Sequence, residues 1–145
     1  MTNQYLTFFS FRFFLLLPLL FLGCNNGHVG LSGKVVFSED GSPLTFGTVC
    51  FSTPTFQAKG EIKNTGSFTM GSLGAADGLP PGTYTVYILG ATEDLGGDNI
   101  YSILDPKWNS PSTSDFTVTV EKTTRNLEIK VDRNPESREQ FLNKK

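Results

Sequence analysis

The sequence predicts an all-β chain, built as a single seven-stranded antiparallel β-sandwich over residues 31–131. Three observations lead there. Short runs alternate apolar and polar residues with period two, the signature of half-buried strands. Turn-forming clusters such as Asp40-Gly41, Thr53-Pro54, Asn64-Thr65-Gly66 and Pro80-Pro81-Gly82 punctuate those runs at regular intervals. Apolar residues at helical spacing are absent over any long stretch, while Gly, Ser, Thr and Pro are abundant.

The first strand starts at Leu31: Leu31, Gly33, Val35 and Phe37 share one face, and Ser32, Lys34 and Ser38 take the other. Glu39-Asp40-Gly41-Ser42 supplies turn chemistry. A second strand runs over residues 44–51. Its apolar parity changes across Gly47, which reads as a β-bulge. Thr53-Pro54-Thr55 breaks it. Ala58, Gly60 and Ile62 alternate with Lys59, Glu61 and Lys63. After the turn at Asn64-Thr65-Gly66, Phe68 and Met70 return to the apolar face, so these two runs are expected to form a hairpin. Residues 71–81 form a Gly- and Pro-rich loop. Pro80-Pro81-Gly82 then leads into a strand with Tyr84, Val86 and Ile88 pointing inward. The final pair carries Phe116, Val118 and Val120, then, after a turn at residues 122–125, Leu127, Ile129 and Val131.

Two segments leave this rhythm. Residues 90–114 form a long, weakly patterned connection, and such loops in compact domains are usually functional or mobile. Residues 132–145 are a polar tail, either frayed or a short surface helix, in which Asn134-Pro135-Glu136 offers capping chemistry.

The N-terminus carries a different signal. One charge, Arg12, precedes the apolar run from Phe13 to Leu22, which ends in Gly23-Cys24. This is the form of a secretory h-region. A spanning helix needs about 20 apolar residues, and extending the run backwards would bury Arg12. Leu20-Phe21-Leu22-Gly23-Cys24 resembles the lipobox of bacterial lipoproteins, although Phe21 and Leu22 are bulkier than its usual residues. The resemblance implies cleavage between Gly23 and Cys24, loss of residues 1–23, and acylation of the Cys24 thiol. An uncleaved N-terminal anchor is the alternative. Each buried methylene of an acyl chain contributes ~0.8 kcal/mol of membrane affinity. Residues 24–30 then read as a flexible tether.

Composition narrows the function. Removing Arg12 from the 12 basic residues leaves 11 against 14 acidic ones, a net charge of about −3 for the mature chain. Without a basic patch, nucleic acid is not an expected partner. With Cys24 acylated, Cys50 is the one remaining thiol, so no intramolecular disulfide is expected. His28 is the only histidine and sits in the tether, which removes the imidazole that Ser-His-Asp or Cys-His catalysis needs. One His and one Cys fall short of a catalytic zinc site. The loop carboxylates Glu93, Asp94, Asp98 and Asp105 match no EF-hand spacing. Hence no catalytic residue, metal site or cofactor is expected. Cys50, between Val49 and Phe51, reads as a covered small residue, with an intermolecular disulfide or a nucleophilic role as alternatives. Tyr101 and Trp108 are the candidate ligand contacts, because flat aromatics at a sandwich end stack on sugars or fill a partner's groove. The other reading of Trp108 is a cap over the open end of the core.

Several segments together resemble a known family. Ser32-Gly33-Lys34-Val35-Val36-Phe37, Pro43-Leu44 and Gly47-Thr48-Val49 look like the start of a carboxypeptidase regulatory-like (transthyretin-like) domain. Gly60-Glu61-Ile62, Gly66-Ser67-Phe68-Thr69 and Leu79-Pro80-Pro81-Gly82-Thr83-Tyr84-Thr85-Val86 continue the likeness. Asp105-Pro106-Lys107-Trp108 and residues 114–120 resemble the closing section of small planctomycete-type lipoproteins. The resemblance implies a prealbumin-like sandwich. It also implies an accessory role without chemistry of its own. The expected function is a membrane-anchored, non-catalytic envelope module that contacts a protein or glycan through the loops at 71–81 and 90–114. The alternatives are an architectural component associating by edge-strand pairing, and a small hydrolase.

Overall fold

The structure is a computed structural model that describes residues 27–74 and 76–144. The expected signal segment, its Gly23-Cys24 boundary and the lipid site at Cys24 lie outside the described residues. No described helix is long and apolar enough to cross a membrane.

The chain is mostly β. Nine strands occur among the described residues: β1 (Leu31–Phe37), β2 (Thr48–Ser52), β3 (Gln57–Glu61), β4 (Ser67–Thr69), β5 (Gly82–Leu89), β6 (Thr92–Asp94), β7 (Ile100–Ser102), β8 (Thr117–Val120) and β9 (Thr124–Val131). They form a three-stranded sheet ordered β4-β1-β9, a four-stranded sheet ordered β3-β2-β5-β8 and a two-stranded ribbon, β6-β7. The expectation of one seven-stranded, wholly antiparallel sandwich is therefore corrected: β1 and β9 pair in parallel. The reason lies in the short turn after β8. It carries the chain from the edge of the four-stranded sheet to the edge of the other, so β9 arrives beside β1 and runs in its direction. The register of β1 against β9 shifts between Leu31 and Gly33.

The period-two reading holds within strands. Leu31, Gly33, Val35 and Phe37 are buried, and Ser32, Lys34 and Val36 are less so. Apolar residues from both larger sheets meet in one core, with Val35, Phe68 and Ile129 from one side and Val49, Phe51, Val86 and Ile88 from the other. Fully burying such side chains contributes roughly 1.5–3 kcal/mol each. Tyr84 joins this core while its hydroxyl donates to the Pro80 carbonyl at 2.6 Å. That bond fixes the Pro80-Pro81-Gly82 entry into β5.

Partner choice departs from expectation in three places. β3 and β4 do not form a hairpin; they lie in different sheets and are linked through reciprocal Lys59–Gly71 backbone bonds of 2.8 and 2.9 Å. The second strand begins at Thr48 rather than at residue 44, because Leu44 turns back to donate its N–H to Val35. Gly47, with φ of +120°, is the bend before β2 and not a bulge within it. Inside the long 90–114 connection, Gly96 and Gly97, both at positive φ, close the β6-β7 ribbon, and a 3-10 turn spans Pro106–Asn109. The tail adopts the helical alternative. α1 (Arg138–Asn143) is capped by Ser137 in a reciprocal capping box with Gln140, three residues past the Asn134 expected to cap it.

Strand directions define two ends. One end gathers the chain entry at 27–30, the β2-β3 turn, the 71–81 loop and the β8-β9 turn. The other gathers the β1-β2 connection, the β6-β7 ribbon and α1.

Candidate functional site

The outward face of the four-stranded sheet carries a groove of about 620 Å³. Its floor comes from three neighbouring strands. Ser52 ends β2, opposite Gln57 on β3 and Thr85 on β5. Tyr87 follows Thr85 on the same face of β5, since side chains two apart share a face. Pro54, Thr55 and Phe56 in the β2-β3 turn form one rim, and Pro111 and Ser112 form another.

The β2-β3 turn is held rigidly. Thr53 Oγ1 accepts the backbone N–H of Phe56 at 3.1 Å, and Thr53 N–H donates to the Phe56 carbonyl at 2.9 Å. Phe56 packs edge-on against the core residue Tyr84 at 6.1 Å, which fastens the turn to the core. Gln57 Nε2 donates to the Tyr87 hydroxyl, which orients the amide across the groove. Burial, followed by the neighbouring Cys50, pushes the Tyr87 phenol up from its ordinary value, so it stays neutral. The lining holds hydroxyls, an amide, two prolines, the Tyr87 phenol and Phe56, whose ring packs on the core residue Tyr84, with no charged side chain. Such a surface donates and accepts hydrogen bonds and offers flat apolar faces. It has no ion to bind an ionised ligand.

The aromatics singled out in sequence lie elsewhere and do not come together. Trp108 is 3 % exposed and belongs to the core; its ring meets Phe116 at 5.5 Å. Its Nε1–H makes no bond of good geometry, although it helps hold Asp132 below the usual carboxylate range, after the larger effects of Lys107 and Ser38. Tyr101 is 8 % exposed, packs on Phe141 at 5.6 Å and donates to the Glu136 carbonyl. Both rings are thus engaged inside the protein.

Cys50 is fully buried between Lys59 on β3 and Tyr87 on β5, and burial raises its thiol pKa. His28 packs edge-on against Phe56 at 6.1 Å. The loop acids serve local structure: Asp105 accepts the Lys107 N–H at the 3-10 turn, Asp94 accepts the Gly96 N–H, and Glu93 pairs with Arg138 at 3.4 Å. Among the described residues, no three His, Cys, Asp or Glu side chains gather in a group able to hold a metal ion.

Sequence reasoning missed most of the groove. In the sequence Thr53-Pro54-Thr55 shows only as a strand break, and Pro111 and Ser112 fall in the long 90–114 connection. The Thr-Pro-Thr-Phe turn was the available signal. Its meeting with Thr85 and Tyr87 depends on strand register, which one sequence does not display. Comparison with family models, curated proteins and solved structures finds no match to this chain.

Proposed function

We propose that this chain is a lipid-anchored cell-envelope protein whose prealbumin-like β-sandwich is a non-catalytic module that binds a neutral glycan. The anchor is Cys24, exposed by cleavage after Gly23, and it holds the module outside the cytoplasm against a membrane. The observation that carries the binding reading is the uncharged groove over Ser52, Gln57, Thr85 and Tyr87. Sugars present hydroxyls for the Gln57 amide and the threonines, and flat C–H faces for the proline rings. The non-catalytic reading is supported by the chemistry on hand: the thiol is enclosed with a raised pKa, and the one histidine is packed beside Phe56. The test is NMR titration of the mature chain with neutral oligosaccharides from envelope polysaccharide. Shifts confined to residues 52–57, 85, 87, 111 and 112, and their loss in Gln57→Ala, are expected. A chain whose groove resonances ignore every neutral glycan overturns the reading.

A second reading, architectural pairing through a sheet edge, has its own support in β8. Val86 N–H donates to the Phe116 carbonyl at 2.9 Å, which makes 86 and 116 a hydrogen-bonded pair. Pairs alternate along an antiparallel ladder, so the main-chain groups of Thr117 and Thr119 point away from β5. β8 (Thr-Val-Thr-Val) has no lysine, proline or bulge to guard that edge, whereas β9 bears Arg125, Glu128 and Lys130. Concentration-dependent association abolished by Thr117→Lys would favour this reading over the glycan one.

A further inference from the structure

Leu73 is 97 % exposed, more than any other large apolar side chain described. The backbone that presents it is braced. The Asp77 carboxylate accepts the N–H groups of Ser72, Leu73 and Gly74 at 2.5, 3.0 and 2.9 Å, and the Ser72 hydroxyl at 3.2 Å. Three successive amides are turned onto one carboxylate, and the Leu73 side chain is left pointing into solvent. A braced backbone loses little entropy when that side chain is buried by something else.

The position of Leu73 says what that something is. The base of its loop is tied to the chain entry: Val29 and Leu79 exchange backbone bonds of 2.9 and 3.1 Å. Gly78, at φ of +79°, lies against the Val29 backbone with no room for a Cβ. The chain is therefore strapped to the body from Val29 onward. Val29 lies five positions after Cys24, a reach of at most about 18 Å fully extended. An acyl group on Cys24 would lie within that reach of the strap that carries the Leu73 loop.

We propose that Leu73 enters the interfacial layer of the bilayer that holds the Cys24 lipid, fixing which end of the protein faces the membrane. This rests on the lipoprotein reading above. The acyl chains supply the affinity, and Leu73 sets the orientation. The β2-β3 turn and the β8-β9 turn then lie toward lipid, and the β6-β7 ribbon with α1 points away. A protein partner on Leu73 is the competing occupant.

The experiment uses the full mature, lipidated chain on vesicles of phosphatidylethanolamine and phosphatidylglycerol. An environment-sensitive fluorophore is placed on Leu73→Cys, and on Ile100→Cys at the far end as the reference. Buried Cys50 leaves the native protein free of other labels. Blue-shifted emission at position 73, and several-fold stronger quenching there than at 100 by nitroxide-bearing lipid, is the expected result. A vesicle-bound chain whose position-73 probe stays in water, or is shielded without lipid quenching, overturns the orientation and leaves the anchor standing. Mass spectrometry showing an unmodified Cys24 sulfur, with the chain left in the aqueous phase, overturns both.

Discussion

The Tyr101 hydroxyl donates a 2.6 Å hydrogen bond to the backbone carbonyl of Glu136, fastening the C-terminal segment onto the β6-β7 ribbon. The Phe141 ring packs on Tyr101, Arg138 pairs with Glu93, and the Asn134 amide donates to the Ser102 carbonyl at 2.8 Å. Tyr101→Phe keeps the ring contact and removes one bond, so it should cost about 1 kcal/mol. Hydrogen exchange checks where: amides of residues 134–143 should speed up while those of β1 and β5 do not. Uniform acceleration would show that the tail and core unfold as one unit.

Trp108 closes the core beside Phe116, near the start of the segment that leads into β8. Trp108→Ala removes a ring that is almost wholly buried, and large-to-small changes of this kind cost about 3–5 kcal/mol. Urea unfolding should show that loss. Unchanged stability with lost binding would instead make Trp108 a surface contact.

What could be read from the sequence follows the range over which each signal acts. Period-two burial in β1 and the inward set Tyr84, Val86 and Ile88 are local, because a strand declares its faces residue by residue. So is the Asp40-Gly41 turn, where Asp40 accepts the Ser42 N–H. The partner of a strand is not local. Nothing near Leu127 announces that its backbone lies against Gly33, or that β3 and β4 part into different sheets. The β6-β7 ribbon hid for another reason. Its residues are Asp, Glu, Gly and Asn as much as Ile and Tyr, and its strands are three residues each. The site shared both difficulties. Its rim follows a visible turn, and its floor exists only once β2, β3 and β5 are aligned.

Gly33 shows how strict that hidden register is. A Cβ there would collide with the Leu127 carbonyl of β9, at the place where the parallel ladder shifts. The obstacle is backbone, so no rotamer change relieves it. Gly33→Ala should destabilise the fold by about 1–3 kcal/mol, as overpacking does. A lowered midpoint in thermal unfolding, with amide shift changes spreading along both β1 and β9, is the expected observation. An unshifted midpoint would mean that the two strands separate at that point without cost.

Cys50 should be inert in the folded protein. Its sulfur is enclosed, and the thiolate that would react is disfavoured by burial. The folded pKa is raised, so this contribution to stability is complete below the unfolded thiol value and is lost as pH rises through the folded one. A thiol reagent should label the native chain slowly and the urea-unfolded chain at once. Rapid native labelling at neutral pH would revive the nucleophilic and intermolecular-disulfide readings.

Asp77 gives a pH test of the loop that presents Leu73. The backbone bond from Ser72 comes first, followed by those from Gly74 and Leu73, and together they hold its carboxyl down to about 2. The unfolded carboxyl titrates near ~3.9. The folded value is the lower one, so the stabilisation is complete above the unfolded value and disappears as pH falls through about 2. Between those values the folded loop keeps its carboxylate ionised while an unbraced one would be protonated. NMR should therefore show the amides of Ser72, Leu73 and Gly74 changing together with a midpoint near 2. Asp77→Ala should remove that step and let the same three amides exchange faster at neutral pH. The β-strand amides should be unaffected, because the carboxylate bonds only its own loop. A midpoint at the ordinary carboxylate value would mean that these amides do not converge on Asp77 in solution. Leu73 would then be carried on slack chain rather than held out on a brace.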